Sequence, residues 1–321
     1  MKRKPLIIAH RAACGYLPEQ TLEGIALAFA MGADCIEMDS LLTRDDRAIV
    51  FHDHYLDAMT DVAELFPNRS RSDGRHYAID FSFDEIRQLS VGARIDPATG
   101  KKAFPKRFPD SRALRFRIPA LEEALALVRG LNKSMGRGVG VYLEPKGPAY
   151  HRREGKSVED VVLGVFREFG YTTRDSGCHI QSFEPDSIRY MRETLRSDLS
   201  MVQLLGDSSW EETPGVDYAA LMTPEGFDLI ARHADRVGVW TNHLAVDAGA
   251  GKPPRITKLA EWAHERGMQI NPYTLRADAL PSYAKTFDDL LELFLVTIGV
   301  DGVFTDFPDL ARNFAVRRGL A

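Results

Sequence analysis

Short apolar runs alternate along the chain with longer stretches in which apolar residues recur at helical spacing, a pattern that predicts a parallel sheet covered by helices. Eight core strands are read at residues 6–10, 33–39, 140–144, 177–181, 201–205, 236–241, 268–273 and 301–305. After the first strand, Leu22, Ile25, Ala26 and Phe29 share one helical face, with Thr21 as a cap and Gly32 as the stop. Further helices are expected at 121–131, 158–169, 185–195, 224–233, 255–266 and 287–297. Eight strand-helix units favour a closed α/β barrel, of the (β/α)8 TIM type, over an open sheet.

Two segments interrupt the repeat. Residues 41–52 hold a turn at Asp45-Asp46-Arg47 followed by Ala48-Ile49-Val50-Phe51, which reads as a hairpin arm on the second strand. Residues 55–118 carry no barrel unit and are read as a small inserted subdomain, so that one barrel domain spans 1–321. Within it, Lys101, Lys102, Lys106, Arg107, Arg112, Arg115 and Arg117 face one acid, Asp110. The run is read first as a solvated charged loop, with a basic rim for an anionic substrate as the alternative.

Composition narrows the classes. The 321 residues, 44% hydrophobic and 27% charged, suffice for a full core and exclude a disordered chain. A net charge of −5 argues against a general nucleic-acid binder, so any phosphate chemistry has to be local. Cys14, Cys35 and Cys178 are too few and too scattered for a disulfide framework or a zinc site. The basic start is followed by an apolar run too short for a signal peptide or membrane span. The expected compartment is the periplasm if a signal was removed from this chain, and otherwise the cytoplasm.

The carboxyl ends of barrel strands are where polar residues need a reason. Glu37 and Asp39 lie two apart on the second strand, so both point to one face, and Glu144 ends the third. Such carboxylates need a cation or a shared proton. With no histidine or cysteine cluster beside them, they suit a hard cation, magnesium or calcium, before zinc. Caps and surface ion pairs are the plain alternative for any one of them. Arg11 after the first strand and Lys146 beyond Glu144 could hold the non-bridging oxygens of a phosphodiester, or pair internally with those acids. His10 and His52 supply groups that titrate near neutrality. His54 is set aside as a metal ligand, because the chain is expected to leave the strand at Asp53. The chain has no Gly-x-Ser-x-Gly elbow and no phosphate-binding P-loop, and its Gly136, Gly138, Gly140 run precedes a strand, which does not suit a dinucleotide site.

Together these residues resemble the glycerophosphodiester phosphodiesterase family, through His10-Arg11, Pro18-Glu19-x-Thr21, Glu37-x-Asp39, His52-Asp53, Glu144-x-Lys146 and Phe304-Thr305-Asp306-Phe307-Pro308. The segment 52–83 is similar to the bacterial periplasmic branch. The resemblance implies one divalent cation, Ca2+ or Mg2+, on Glu37, Asp39 and Glu144. It implies His10 and His52 as an acid/base pair, and Arg11 and Lys146 on the phosphate. Gln181, Tyr273 and Phe304 lie at other strand ends and are expected to shape the pocket. The implied substrates are small glycerophosphodiesters, such as glycerophosphocholine and glycerophosphoethanolamine, cleaved to glycerol 3-phosphate and an alcohol. Alternatives are a lysophospholipase D-type phosphodiesterase and a non-catalytic phosphodiester-binding protein. Three positions depart from the family's habit: Ala12 where glycine is usual, Gln20 where asparagine is common, and Ala58 where arginine is common.

Overall fold

Strands buried on both faces have no polar side to offer water, and they form only where helices cover the sheet. Eight such strands make the barrel in the computed structural model, which describes residues 4–96, 98–108, 114–210, 213, 215–249 and 252–321. They are β1 (Leu6–Ala9), β2 (Cys35–Leu42), β4 (Gly140–Pro145), β5 (Cys178–Ser182), β6 (Ser200–Leu205), β7 (Arg236–Trp240), β8 (Gln269–Tyr273) and β9 (Gly302–Thr305), with β3 (Ala48–Val50) outside the ring. The parallel order is β8-β7-β6-β5-β4-β2-β1-β9. The seam between β8 and β9 is held by the Asp301 N–H donating to Ile270 O at 3.0 Å and the Leu275 N–H to Phe304 O at 2.8 Å. All eight expected strands are present, with ends displaced by at most three residues.

Helix α1 (Leu22–Ala30) begins where Thr21 Oγ1 accepts from the Gly24 N–H, and it buries Ile25, Ala28 and Phe29 against the barrel. Helix α2 (Leu121–Met135) runs one turn further than its apolar face required and stops at Gly136, whose φ of 62° is the left-handed cap glycine favours. Three expectations need correction. Arg255–Ile256 is a short strand against Ala245–Val246, so the helix there covers only Leu259–Glu265. The helices expected at 185–195 and 287–297 hold α geometry only over Pro185–Arg189 and Phe287–Leu291, then widen into π turns.

The hairpin arm forms as read: β3 pairs antiparallel with the far end of β2, Ser40 opposite Val50 and Leu42 opposite Ala48. It bridges two cores. Ala48 and Val50 face the barrel core, whereas Leu41, Ile49 and Phe51 join Leu56, Phe81, Ile86 and Leu89 in a second cluster inside residues 55–118. The basic run there is not wholly solvated. The Arg107 side chain is only 10% exposed and points into the barrel mouth, while Lys101 and Lys106 are exposed. Asp110 and Arg112 lie outside the described residues. Cys14, Cys35 and Cys178 are all buried and free. Among the described residues no helix is long and apolar enough to cross a membrane.

Helix α3 (Pro148–Arg153) is fastened to the arm through buried His151. Its Nε2 accepts from the Leu42 N–H at 3.1 Å, and its Nδ1 lies 3.1 Å from Gly147 O, so the neutral ring uses both nitrogens. Burial lowers its pKa to about 4. The unfolded chain therefore binds a proton that the folded chain refuses, and stability falls as pH drops from about 6.5 towards about 4. This residue alone should add a slope of up to about 1.4 kcal/mol per pH unit in that window. Urea denaturation of His151→Gln at pH 7, 6 and 5 is expected to show a flatter pH dependence than the unsubstituted protein. An identical slope would contradict the assignment.

Candidate active site

At the end of β1 the chain turns sharply, with Arg11 at φ 48° and Ala12 at φ 69°. That left-handed pair aims the Arg11 N–H at Glu37 Oε2, 2.6 Å away, while the Ala12 N–H reaches Glu37 O at 3.2 Å. Alanine at 12 thus keeps the conformation that glycine would adopt freely, at a strain of roughly 1 kcal/mol. The turn brings Arg11 and its side chain to the acids of β2.

Those acids are placed by register. Asp39 of β2 lies beside Glu144 of β4, and Glu37 beside Tyr142. Glu37 is 2% exposed, Asp39 1% and Glu144 6%. Each has a donor of its own. Gln181 Nε2 reaches Glu37 at 3.0 Å, Gln20 Nε2 reaches Asp39 at 2.6 Å, and Lys146 Nζ lies 3.0 Å from Glu144. Burial, followed by the charges of Asp39 and Glu144, pushes the Glu37 carboxyl well above the usual carboxylate range, with Arg11 offsetting only part. Gln181 Oε1, buried beside it, has no hydrogen-bond partner among the described residues. A buried lone pair among crowded carboxylates is a donor set suited to a hard divalent cation. Gln20, which replaces the common asparagine, is buried with φ 63° and is tied to Asp39 through side chain and backbone.

Both histidines are oriented by a carboxylate on Nδ1. His10 Nδ1 lies 2.7 Å from Asp306 Oδ1, and His52 Nδ1 lies 2.5 Å from Asp53 Oδ1. Each carboxylate is then held by arginine. Asp306 Oδ2 accepts from Arg107 at 2.6 Å and from Arg276 at 2.8 Å, and Asp53 Oδ2 accepts from Arg94 at 2.6 Å. Arg94 also joins Arg11 on Glu19. Burial would raise the Asp306 and Asp53 carboxyls. Arg276, His10 and Arg107 outweigh it at Asp306, and His52 and Arg94 at Asp53, so both stay ionised. Burial lowers His10 to about 4 against the pull of Asp306, and it lowers His52 with help from Arg11 and Lys146. A neutral ring whose Nδ1–H faces a carboxylate has its lone pair on Nε2, the form a general base requires.

One cavity of about 270 Å³ collects His10, Arg11, Glu37, Asp39, His52 and Glu144, together with Gln181, Tyr273 and Phe304. Lys146 is the exception among the expected residues. It lines a second cavity of about 610 Å³ that shares His52 with the first, and it pairs with Glu144 as the plain alternative had it. His54 also lies in the second cavity, packed so closely against Gly147 that a Cβ on that glycine, at φ 51°, would sit 2.3 Å from its ring. The chain leaves β3 at Val50, earlier than expected. The far wall of the first cavity is aromatic. Trp210 and Trp240 stand 5.3 Å apart at 62°, and Phe183 meets Tyr273 at 5.9 Å and 88°.

Among the described residues, His10, Cys14 and Asp306 form a group whose donor atoms lie within 4.8 Å of one another. Two guanidinium groups already hold Asp306, and burial keeps the Cys14 thiol protonated, so the group is ill suited to a cation. The oxygens of Glu37, Asp39 and Glu144 are spread more widely, each turned to its own donor.

The sequence reading missed Arg94, Arg276, Trp210 and Trp240, and it saw Arg107 only as part of a charged run. Asp53 and Asp306 stood in the quoted motifs without a role, and asking what orients each histidine would have found them. The arginines carried no such signal, since nothing local links residue 94 or 107 to a strand end.

Comparison with known proteins agrees with this fold. Residues 10–310 match the model of the glycerophosphoryl diester phosphodiesterase family. A glycerophosphodiester phosphodiesterase of Haemophilus influenzae is 37% identical, over 98% of this chain and 90% of its own length. One from Treponema pallidum is 32% identical, over 96% and 91%. A solved chain from Silicibacter pomeroyi superposes with a TM-score of 0.74 at 25% identity, covering 100% of this chain and 96% of its own. An Oleispira antarctica phosphodiesterase, solved with its product sn-glycerol-3-phosphate, shares the fold at a TM-score of 0.62 and 20% identity, over 97% of each chain.

Asp306 is 1% exposed on its side chain and meets three basic groups, so neutralising it removes the buried carboxylate that Arg276 and Arg107 share and leaves Arg107 with Asp278 alone. Asp306→Asn is expected to lose about 3 kcal/mol in urea denaturation at pH 7. A loss below about 1 kcal/mol, the value of an exposed ion pair, would contradict this reading.

Proposed function

This chain belongs to the glycerophosphoryl diester phosphodiesterase family, and we propose that it hydrolyses glycerophosphodiesters, such as glycerophosphocholine or glycerophosphoethanolamine, with a divalent cation and two histidines. It is an enzyme of that family; the substrates, the cation and the mechanism are the proposal. The observation that carries it is one cavity in which three buried carboxylates, Arg11 and two carboxylate-oriented histidines face the same space.

Glu37, Asp39 and Glu144 would hold the cation, Ca2+ or Mg2+, with Gln181 Oε1 beside them. When bound, it would supply positive charge to a non-bridging phosphate oxygen as negative charge builds there. Arg11 is already fixed by its N–H to Glu37 and its guanidinium to Glu19, which leaves it preorganised to bind the phosphate. Lys146, held at Glu144, adds a point charge on the His52 side.

The phosphodiester anion, seated against Arg11, raises the proton affinity of the imidazole beside it. One histidine takes a proton from the nucleophile on Nε2, and the other gives a proton to the departing alcohol oxygen. The nucleophile is water or the glycerol hydroxyl next to the ester. Asp306 and Asp53 hold their histidines in the tautomer that leaves Nε2 towards the cavity. The aromatic wall of Phe183, Trp210, Trp240 and Tyr273 gives the lysophospholipase D alternative its one support, because an acyl chain could lie there.

Purified protein is expected to release glycerol 3-phosphate from glycerophosphocholine, to lose that activity with a chelator, and to regain it with calcium or magnesium added separately. No release with either ion, alongside turnover of lysophosphatidylcholine, would transfer the assignment to a lysophospholipase D. His52→Ala is expected to lower kcat roughly 10²- to 10⁴-fold with the fold intact, as measured by turnover and circular dichroism. Full activity in that variant would remove His52 from the mechanism.

A further inference from the structure

We propose that residues 55–118 belong to the catalytic apparatus, through two arginines that each position one histidine: Arg94 acts on His52 through Asp53, and Arg107 acts on His10 through Asp306. The assignment rests on the two-histidine reading above and extends it to residues that touch neither phosphate nor cation.

The two arrangements are parallel in chemistry and unrelated in sequence. Arg94 NH1 and NH2 lie 2.6 and 3.3 Å from the two oxygens of Asp53, whose Oδ1 in turn lies 2.5 Å from His52 Nδ1. The same guanidinium reaches Glu19 at 2.6 and 3.2 Å, so it is pinned between two carboxylates and has little freedom of its own. Arg107 places NH2 2.6 Å from Asp306 Oδ2, leaving Oδ1 for His10 at 2.7 Å. Asp278 anchors Arg107 with two further bonds of 2.8 and 3.0 Å, and the Phe104 ring lies 3.7 Å beneath its guanidinium carbon. Both arginine side chains are largely buried, at 20% and 10% exposed.

A carboxylate bonded through one oxygen can rotate and swing its imidazole with it. A planar guanidinium bonded to the other oxygen fixes the carboxylate plane, and hence the direction of the histidine Nε2. The two sites differ in redundancy. Arg276, from the loop after β8, also holds Asp306 Oδ2 at 2.8 Å, while among the described residues Arg94 is the one arginine hydrogen-bonded to Asp53. Loss of Arg94 should therefore cost more than loss of Arg107.

The test separates positioning from simple charge neutralisation by varying the leaving group. Glycerophosphocholine releases an alkoxide that needs a proton, whereas the p-nitrophenyl ester of glycerol 3-phosphate releases an aryloxide that leaves as the anion. In both esters the P–O bond to the leaving group breaks, and the nucleophile's oxygen forms the new bond after giving up its proton to a histidine. Arg94→Gln is expected to lower kcat on glycerophosphocholine roughly 10- to 100-fold, Arg107→Gln by a smaller factor, and both with little change in KM. On the p-nitrophenyl ester, one of the two variants should recover the unsubstituted kcat, namely the one whose histidine protonates the leaving group. Arg94→Lys and Arg107→Lys, which keep the charge but not the fork, should recover part of the loss and carry the same comparison if a Gln variant does not fold. Equal losses on both esters in both variants, losses confined to KM, recovery by both, or no loss at all would each overturn the proposal. Unsubstituted protein that cleaves neither ester would overturn the hydrolytic reading and this assignment with it.

Discussion

A carboxylate taken out of water costs several kcal/mol unless a cation or hydrogen-bond donors meet it. The mouth of this barrel gathers Glu19, Glu37, Asp39, Asp53, Glu144 and Asp306, all largely buried. That crowding governs what surrounds it. Arg11, Arg94, Arg107, Arg276 and Lys146 are each paired with one or two of these acids, and the two site histidines occupy a third kind of position, bonded to an acid yet held neutral by burial. Glu37 is the acid least well served, pushed upward by burial and by its acidic neighbours. It is where added positive charge would gain most, and in the proposed reaction a divalent cation would supply that charge.

The fold supplies the crowding cheaply. Parallel strands in register bring Asp39 beside Glu144 without any loop having to arrange it, and the left-handed turn after β1 swings Arg11 back onto the same acids. Residues 55–118 then reach over from their own small core, with β3 as the shared element, and set Arg94 and Arg107 on the outer carboxylates.

Much of this was legible in the sequence because barrel strands announce themselves as apolar runs and the residues at their ends become candidates by position alone. His10, Glu37, Asp39 and Glu144 are all such residues. Lys146 was legible as a site cation, but its pairing with Glu144 and its place in the second cavity depend on the turn at Gly147. Arg107 was read as part of a charged loop because one-dimensional charge counting cannot see Asp278 or Asp306, which lie far along the chain. The π turns after Pro185–Arg189 and Phe287–Leu291 were invisible for a related reason, since a widened turn keeps nearly the apolar spacing of an α-helix.

The central claim is that the buried acids of β2 and β4 form one cation site that the reaction uses. Isothermal titration calorimetry of Ca2+ and of Mg2+ into the metal-stripped protein tests it without relying on turnover. The expected result is one ion bound per chain, with binding lost when Glu37→Gln and Asp39→Asn are combined in a variant that still folds. Undiminished binding in that variant, or no binding by a protein that hydrolyses glycerophosphodiesters in the presence of chelator, would contradict the account.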